Sequence, residues 1–395
     1  MALPDENSQN HPVPTWAEIN LGALAHNYRE LRRVTAPAAD IMAVVKADGY
    51  GHGASQVARV ALDCGATYLA VARLSAAIKL RQAGIDAPIL LFGYTFPADV
   101  AYMAGNNIRA SINSPASARM LSVQAVQTGS HLKVHIKIDT GMGRLGLASD
   151  GLAAGSSGND QATDTIADIL TISSLPHIEV EGIFTHFANA DAKDKTDARD
   201  QFARFSALLA RLAKEGLQVR FRHAANSAAT IDMPLTHLDL VRPGVSQYGL
   251  WPSDDVDKNR IDLKPVMAIK STVIQVKSVG AGFAVSYGST HHTSCPTIIA
   301  TVPIGYADGF ARILSSKGHM LVKGIRAPII GRVCMDLTMI DVGHIAGVEV
   351  EDEVVIMGRQ GDEEITADEI AGHVGTINYE IVSSLTSRVP RVYIA

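Results

Sequence analysis

Eight short apolar runs of strand length, alternating with helix-like stretches, fill the first 250 residues and constrain the fold more than any other feature of the chain. They lie at 41–46, 68–72, 89–93, 108–112, 132–138, 178–184, 219–224 and 238–242. Helical patterns at 55–64, 75–83, 98–104, 115–126, 163–174 and 197–215 fall between them, with caps such as Ser55 and Ser114-Pro115 and stops at Gly65, Gly84 and Gly216. Such alternation is the pattern of an α/β protein with a (β/α)8 TIM-type barrel, whose chemistry sits on loops at the C-terminal ends of the strands. A doubly wound sheet is the competing arrangement that periodicity leaves open.

The run LKVHIKID at 132–139 supports the barrel in detail. Its Leu132, Val134, Ile136 and Ile138 point one way and Lys133, His135, Lys137 and Asp139 the other. In a barrel the apolar face packs on helices and the charged face lines the interior. Unpaired charge is costly there, so Lys137 and Asp139 must be paired or functional.

After residue 250 the texture changes to short strand-like runs at 267–277, 297–303, 319–323, 326–333, 337–342 and 353–357, broken by Gly, Pro and Asp. The expected division is a barrel over 20–250 and a mainly β domain over 251–395, which residues 11–19 join, with a polar linker at 252–264. Residues 149–164 are poor in apolar side chains and are expected to form an exposed loop. A length of 395 residues and an apolar content of 47% suffice for two cores.

A net charge of −5 with both signs interspersed argues against nucleic acid as a partner. The three cysteines lack any spacing that suggests a disulfide framework or a metal site, and they fit a reducing cytoplasm. Neither a secretory leader nor a membrane span is evident.

Lys46 closes the first apolar run and is followed at once by ADGYGHG. Burial disfavours the charged form of a lysine, and a neutral amine can attack a carbonyl to form a Schiff base. The glycines at 49, 51 and 53 let the main chain approach a ligand, and Tyr50 and His52 supply polar tips. A lysine that merely reaches water at a strand end is the plainer alternative.

Motifs spaced from Thr15 to Val392 carry a resemblance. They are VVKADGYGHG at 44–53, KIDTGMGRLG at 137–146, THFA at 185–188, ANSAA at 225–229, VRPG at 241–244, VSYGST at 285–290, PIGYADG at 303–309, GRVCMD at 331–336, INYE at 377–380 and RVPR at 388–391. In this order they resemble the bacterial alanine racemases, fold-type III enzymes dependent on pyridoxal 5′-phosphate. The resemblance implies that Lys46 anchors the cofactor covalently and is one of two catalytic bases. Tyr287, supplied by the partner subunit of a homodimer, would be the other, because racemisation needs a base on each face of the substrate. It further implies that Arg242 meets the pyridine nitrogen and that His186 couples Arg242 to Tyr287. Arg144 would pair with the cofactor's phenolic oxygen and the substrate carboxylate, held by Lys137 in carbamylated form. Tyr50, Asn226, Ser227, Gly244, Val245 and Tyr379 would hold the cofactor, chiefly its phosphate, while Met335 and Tyr306 would face the substrate. No metal is implied.

Asn20 stands where the family often has aspartate, and His291 and His292 follow SYGST where an aromatic residue is frequent. Those histidines bear on substrate range, and a serine or basic amino-acid racemase is the nearest alternative. A fold-type III decarboxylase would place a carboxylate where Arg242 stands. A non-catalytic pyridoxal phosphate-binding protein of this barrel type would lack the domain that carries Tyr287.

Overall fold

The computed structural model describes residues 13–149 and 165–395. The loop expected over 149–164 therefore lies, except for Ser149, outside the described residues. The chain divides into two compact units, one of Leu21–Pro265 and one that combines the segment ending at Asn20 with Val266–Ala395.

In chain order the strands through the first unit are β1 (Thr15–Asn20, which belongs to the other unit), β2 (Asp40–Val44), β3 (Tyr68–Val71), β4 (Ile89–Leu91), β5 (Ile108–Ile112), β6 (Leu132–Asp139), β7 (Leu147–Ala148), β8 (Ile178–Phe184), β9 (Phe221–His223) and β10 (Leu240–Val241). Eight of them form one parallel sheet in the order β10, β2, β3, β4, β5, β6, β8, β9. The circle closes between β9 and β10, where Asp239 N donates to Arg222 O (3.1 Å) and Arg242 N to Ala225 O (2.9 Å). The fold is a nearly closed (β/α)8 barrel, and the eight strand-like runs of the sequence map onto it one for one. The short β7 pairs with the end of β6 beyond the loop that carries Arg144.

The helices follow from familiar local chemistry. Ser114 caps Pro115–Gln127 by accepting from Ser117 N (3.2 Å), with Pro115 at the first helical position. Gly65, Gly84 and Gly216 each follow a helix end with φ of 92°, 75° and 82°. Ser55 is not a cap: that helix starts at Ala54, with Gly53 before it. The helix Leu21–Val34 goes unread in the sequence, although Leu24, Tyr28 and Leu31 lie one turn apart and are fully buried. Asn27 on this helix donates to Lys264 O (2.8 Å) and accepts from Lys264 N (2.8 Å). Arg33 donates to Arg260 O (2.7 Å). The polar stretch 252–264 is thereby fastened to the barrel unit rather than left as a free linker.

In the other unit the main sheet runs Ile325–Pro328, His319–Val322, Glu353–Gln360, Met267–Thr272, β1, Arg391–Ile394, and a second sheet runs Gln275–Val279, Thr297–Val302, Thr338–Asp341. The apolar run at 267–277 is two strands in two sheets. It changes sheet at Val273 and Ile274, whose amides donate to Asp352 O and Thr301 O (both 2.9 Å). Two helices unread in the sequence, Ala367–Val374 and Asn378–Ser383, make the unit mainly rather than wholly β.

Candidate active site

The C-terminal ends of the barrel strands gather Lys46, Lys137, Arg144, His186, Ser227, Arg242 and Gly244. Lys46 follows β2 and enters a run of left-handed backbone: φ is 51° at Ala47, 53° at Asp48, 63° at Gly49, 52° at Tyr50 and 83° at Gly51. Three of these residues have side chains, so the turn is strained. Its own bonds hold it: Gly51 N donates to Ala47 O (2.9 Å), Gly53 N to Asp48 O (2.9 Å), and Ala54 N to Asp48 Oδ1 (3.0 Å). The Lys46 ammonium lies 5.6 Å from the centre of the Tyr50 ring. Burial, then the charge of Arg144, pulls its pKa down.

Lys137, on the inward face of β6, is 5% exposed. Burial lowers its pKa to about 8, helped by Arg144, Arg242 and Lys46 and opposed by Asp139. The Asp139 carboxylate accepts the amides of Gly141, Met142, Gly143 and Arg144 at 2.9 to 3.1 Å and so shapes the loop that presents Arg144. Burial would raise this carboxyl, but the four amides outweigh it and leave it below its usual value.

Arg242, just after β10, is 3% exposed, and burial lowers its pKa to about 9. Its Nη2 donates to Thr185 O (2.7 Å) and Ala224 O (2.9 Å), with His186 Nδ1 at 3.4 Å. Its Nη1 donates to His223 Nδ1 (2.8 Å). Burial, then the charges of Arg242, Arg144, Lys137 and Lys46, drive His186 well below the usual imidazole range, so it is neutral. Every charge that acts on His186 is positive. Such a site calls for an anionic ligand.

The segments after β9 and β10 form a cradle of small polar groups. Ser227 Oγ accepts from Gly244 N (2.8 Å) and from Ser246 N (3.2 Å). Asn226 caps the turn that starts at Ser227, accepting from Ala229 N (3.0 Å), and so acts on Ser227's position. Val245 begins a 3-10 turn, Val245–Tyr248, and Tyr50 packs 4.9 Å from the Tyr248 ring.

Tyr287, Tyr306, Met335 and Tyr379 belong to the other unit. Tyr287 is 73% exposed in a turn that follows the strained Ser286 (φ 66°). Its hairpin pairs Val285 with His291 and Ala284 with His292. Tyr306 and Met335 are brought together: Tyr306 N donates to Cys334 O (3.1 Å) and Ala307 N to Met335 O (3.0 Å). Tyr379 lies on the helix Asn378–Ser383. Among the described residues no group of His, Cys, Asp and Glu could hold a metal ion.

Sequence reasoning passes over His223, the penultimate residue of the run VRFRHA. It also passes over Glu181, whose partner His135 it reads only as inward-facing.

Residues 19–252 match the family model of the alanine racemase N-terminal domain, and residues 266–393 that of the alanine racemase C-terminal domain. The chain is 52% identical over 378 residues to the alanine racemase of Desulfosudis oleivorans, covering 96% of each chain. It is 49% identical to that of Desulforamulus reducens, covering 96% of this chain and 99% of the relative. Among solved structures, the alanine racemase of Clostridium difficile superposes with a TM-score of 0.90 at 38% identity, covering 98% of this chain and 97% of that one. A histidine racemase of Leuconostoc mesenteroides superposes with a TM-score of 0.87 at 28% identity, covering 98% and 99%.

Proposed function

The chain belongs to the alanine racemase family and is a pyridoxal 5′-phosphate-dependent isomerase that interconverts L- and D-alanine, and from that premise we propose how its residues divide the work. When bound, the cofactor supplies an electron sink for the pair left behind as the α-proton departs. The residues present fit it. Gly244 leaves room that a Cβ would fill, and hydroxyls and main-chain amides suited to a phosphate converge beside it. The committed bonds of Arg242 leave Nε–H and one Nη1–H to meet a nitrogen lone pair.

Lys46 anchors the cofactor, and its amine, depressed by burial, moves a proton at the substrate Cα on one face. Tyr287 of the partner subunit serves the other face, so each site of the homodimer needs both chains. Arg242 can only donate, which keeps the pyridine nitrogen unprotonated and disfavours transamination. His186, neutral among the cations, links Arg242 towards Tyr287. Arg144 holds the substrate carboxylate and the phenolic oxygen, and carbamylation of Lys137 gives it an anion to pair with. Tyr50, Asn226, Ser227, Gly244, Val245 and Tyr379 hold the phosphate end, while the Met335 backbone and Tyr306 border the substrate.

The observation that carries this reading is the place of Lys46 at the C-terminal end of β2, 5.6 Å from the Tyr50 ring, on the barrel face where Lys137 and Arg242 are also buried. We place the enzyme in the cytoplasm, consistent with three free cysteines, where its D-alanine would supply peptidoglycan. The test is borohydride reduction of the yellow protein followed by peptide mapping, together with a racemisation panel of amino acids. Label on Lys46 and a preference for alanine are expected. Label elsewhere, or faster turnover of serine or a basic amino acid, would defeat the assignment. A broader range remains the second reading because a histidine racemase shares this fold.

A further inference from the structure

The barrel interior below Arg242 holds a polar column whose other members have no part in the mechanism above. Arg242 Nη1 meets His223 Nδ1 at 2.8 Å, His223 Nε2 meets His135 Nδ1 at 2.8 Å, and His135 Nε2 meets Glu181 Oε2 at 3.4 Å. Both imidazoles are fully buried. The carboxylate is held in turn by Arg109 Nε (2.8 Å) and the Tyr68 hydroxyl (2.6 Å).

The two ends of the column fix its direction. An arginine only donates, so His223 Nδ1 must offer a lone pair, and its proton sits on Nε2. That proton is given to His135 Nδ1, which leaves the His135 proton on Nε2, aimed at Glu181. An ionised carboxylate only accepts, so the far end agrees. A second proton on either ring would set one N–H against another. Burial opposes ionisation of Glu181, but the bonds from His135, Arg109 and Tyr68 overcome it and hold the carboxyl far below its ordinary range.

Local structure is bent to build this. A bulge in the β6–β8 pairing, where Val134 faces Val180 but His135 faces Gly182, leaves Glu181 as the extra residue. At Gly182 a Cβ would lie 2.6 Å from His135 Nδ1, so only glycine leaves the ring its seat.

We propose that Glu181 and His135 are positioning residues for Arg242: the buried carboxylate sets the tautomers of two successive imidazoles, so that the last one presents a lone pair that keeps the guanidinium turned towards the cofactor's ring nitrogen. The proposal rests on the role assigned to Arg242 above. With Arg242 free to turn, nothing at that position excludes a proton from the nitrogen. Half-transamination would then compete better: the alanine nitrogen would stay with the cofactor as its amine form, water would supply the carbonyl oxygen of pyruvate, and Lys46 would be left as the free amine.

The test begins with nitrogen NMR of the histidine-labelled protein, with and without cofactor. His135 and His223 should each be neutral and protonated on Nε2 alone; a proton on His223 Nδ1, or two protons on either ring, would overturn the proposal. Two variants of similar size then separate positioning from packing. His135→Gln keeps an acceptor towards His223 and a donor towards Glu181, whereas His135→Leu keeps neither. In the leucine variant His223 should lose its single tautomer and pyruvate formed per racemisation should rise about tenfold, the scale of one bond to a charged group, while glutamine restores both. Equal behaviour of the two variants would overturn the proposal. A wrong assignment of function would show differently, as no racemisation and no Lys46 label in the unaltered protein, with the tautomers unaffected.

Discussion

Gly244 and Tyr50 stand so close that a Cβ at position 244 would lie 2.7 Å from the tyrosine hydroxyl oxygen. The glycine is therefore there for space, not for a left-handed backbone, since its φ is −101°. Tyr50 is 7% exposed and cannot easily yield. In Gly244→Ala the strand of amides at 244–246 should be pushed back from Ser227. Loss of one or two bonds to a charged group predicts cofactor affinity weaker by about tenfold to a hundredfold. Titration of the cofactor-free protein, followed by absorbance, checks this; an unchanged dissociation constant would remove Gly244 from the cradle.

Lys137 makes stability depend on pH in a predictable direction. An unfolded lysine keeps its proton up to about 10.5, whereas the buried one loses it at about 8. Between those values the unfolded chain binds more protons, so the cofactor-free protein should gain stability as pH rises, by up to about 3 kcal/mol. Below about 8 the cost of the buried charge is borne in full. Urea titrations in carbonate-free buffer, which keeps Lys137 an amine, should show the gain across this window, and Lys137→Met should lack it. The amine freed above that pH is also the form that takes up carbon dioxide. Activity should fall in carbonate-free buffer and return with bicarbonate.

Sharing of sites between subunits predicts complementation. Lys46→Ala and Tyr287→Phe proteins should each be nearly inactive. After dissociation and mixing, some dimers contain one site with both Lys46 and Tyr287 intact. Recovery towards a quarter of the unaltered activity is the statistical ceiling, roughly half the dimers being hybrids with one good site of two. If mixed samples stay as inactive as their parents, the second base does not come from the partner.

Asp139→Ala should loosen the Arg144 loop without disturbing the barrel. Four amides lose their common acceptor, and exchange of the amides at 141–144 should quicken by about tenfold to a hundredfold. The Michaelis constant for alanine should rise more than the turnover number falls, because Arg144 is expected to act through its position. Unchanged exchange at 141–144 would contradict the part given to the carboxylate.

Much of the fold was legible because its signals are local. The inward face of β6 follows from alternation alone, and its His135 and Lys137 are buried as that alternation requires. The helices of the second unit were missed because Ala367–Val374 is short and lies beyond the last strand-like run, although Thr366 supplies an ordinary cap. The left-handed run after Lys46 was legible at its glycines but not at Ala47, Asp48 and Tyr50, where no side chain announces a positive φ. The column below Arg242 was hidden for another reason: His135, Glu181 and His223 come from three strands, and a one-residue bulge decides that Glu181 joins it. The roles assigned to site residues rested on motif order, which periodicity could not supply.

The placement of β1 between Met267–Thr272 and Arg391–Ile394 gives the chain an order of assembly. β1 is made before the barrel and both its neighbours after it, so the second unit cannot form this pairing until the whole barrel has left the ribosome. The barrel, by contrast, has all its strands between residues 40 and 241. It is free to fold while Thr15–Asn20 waits unpaired until Met267–Thr272 has been made. A product truncated after the barrel would therefore keep the barrel's cofactor residues, though not Tyr379, yet carry an unprotected strand, and such fragments should be the ones that aggregate.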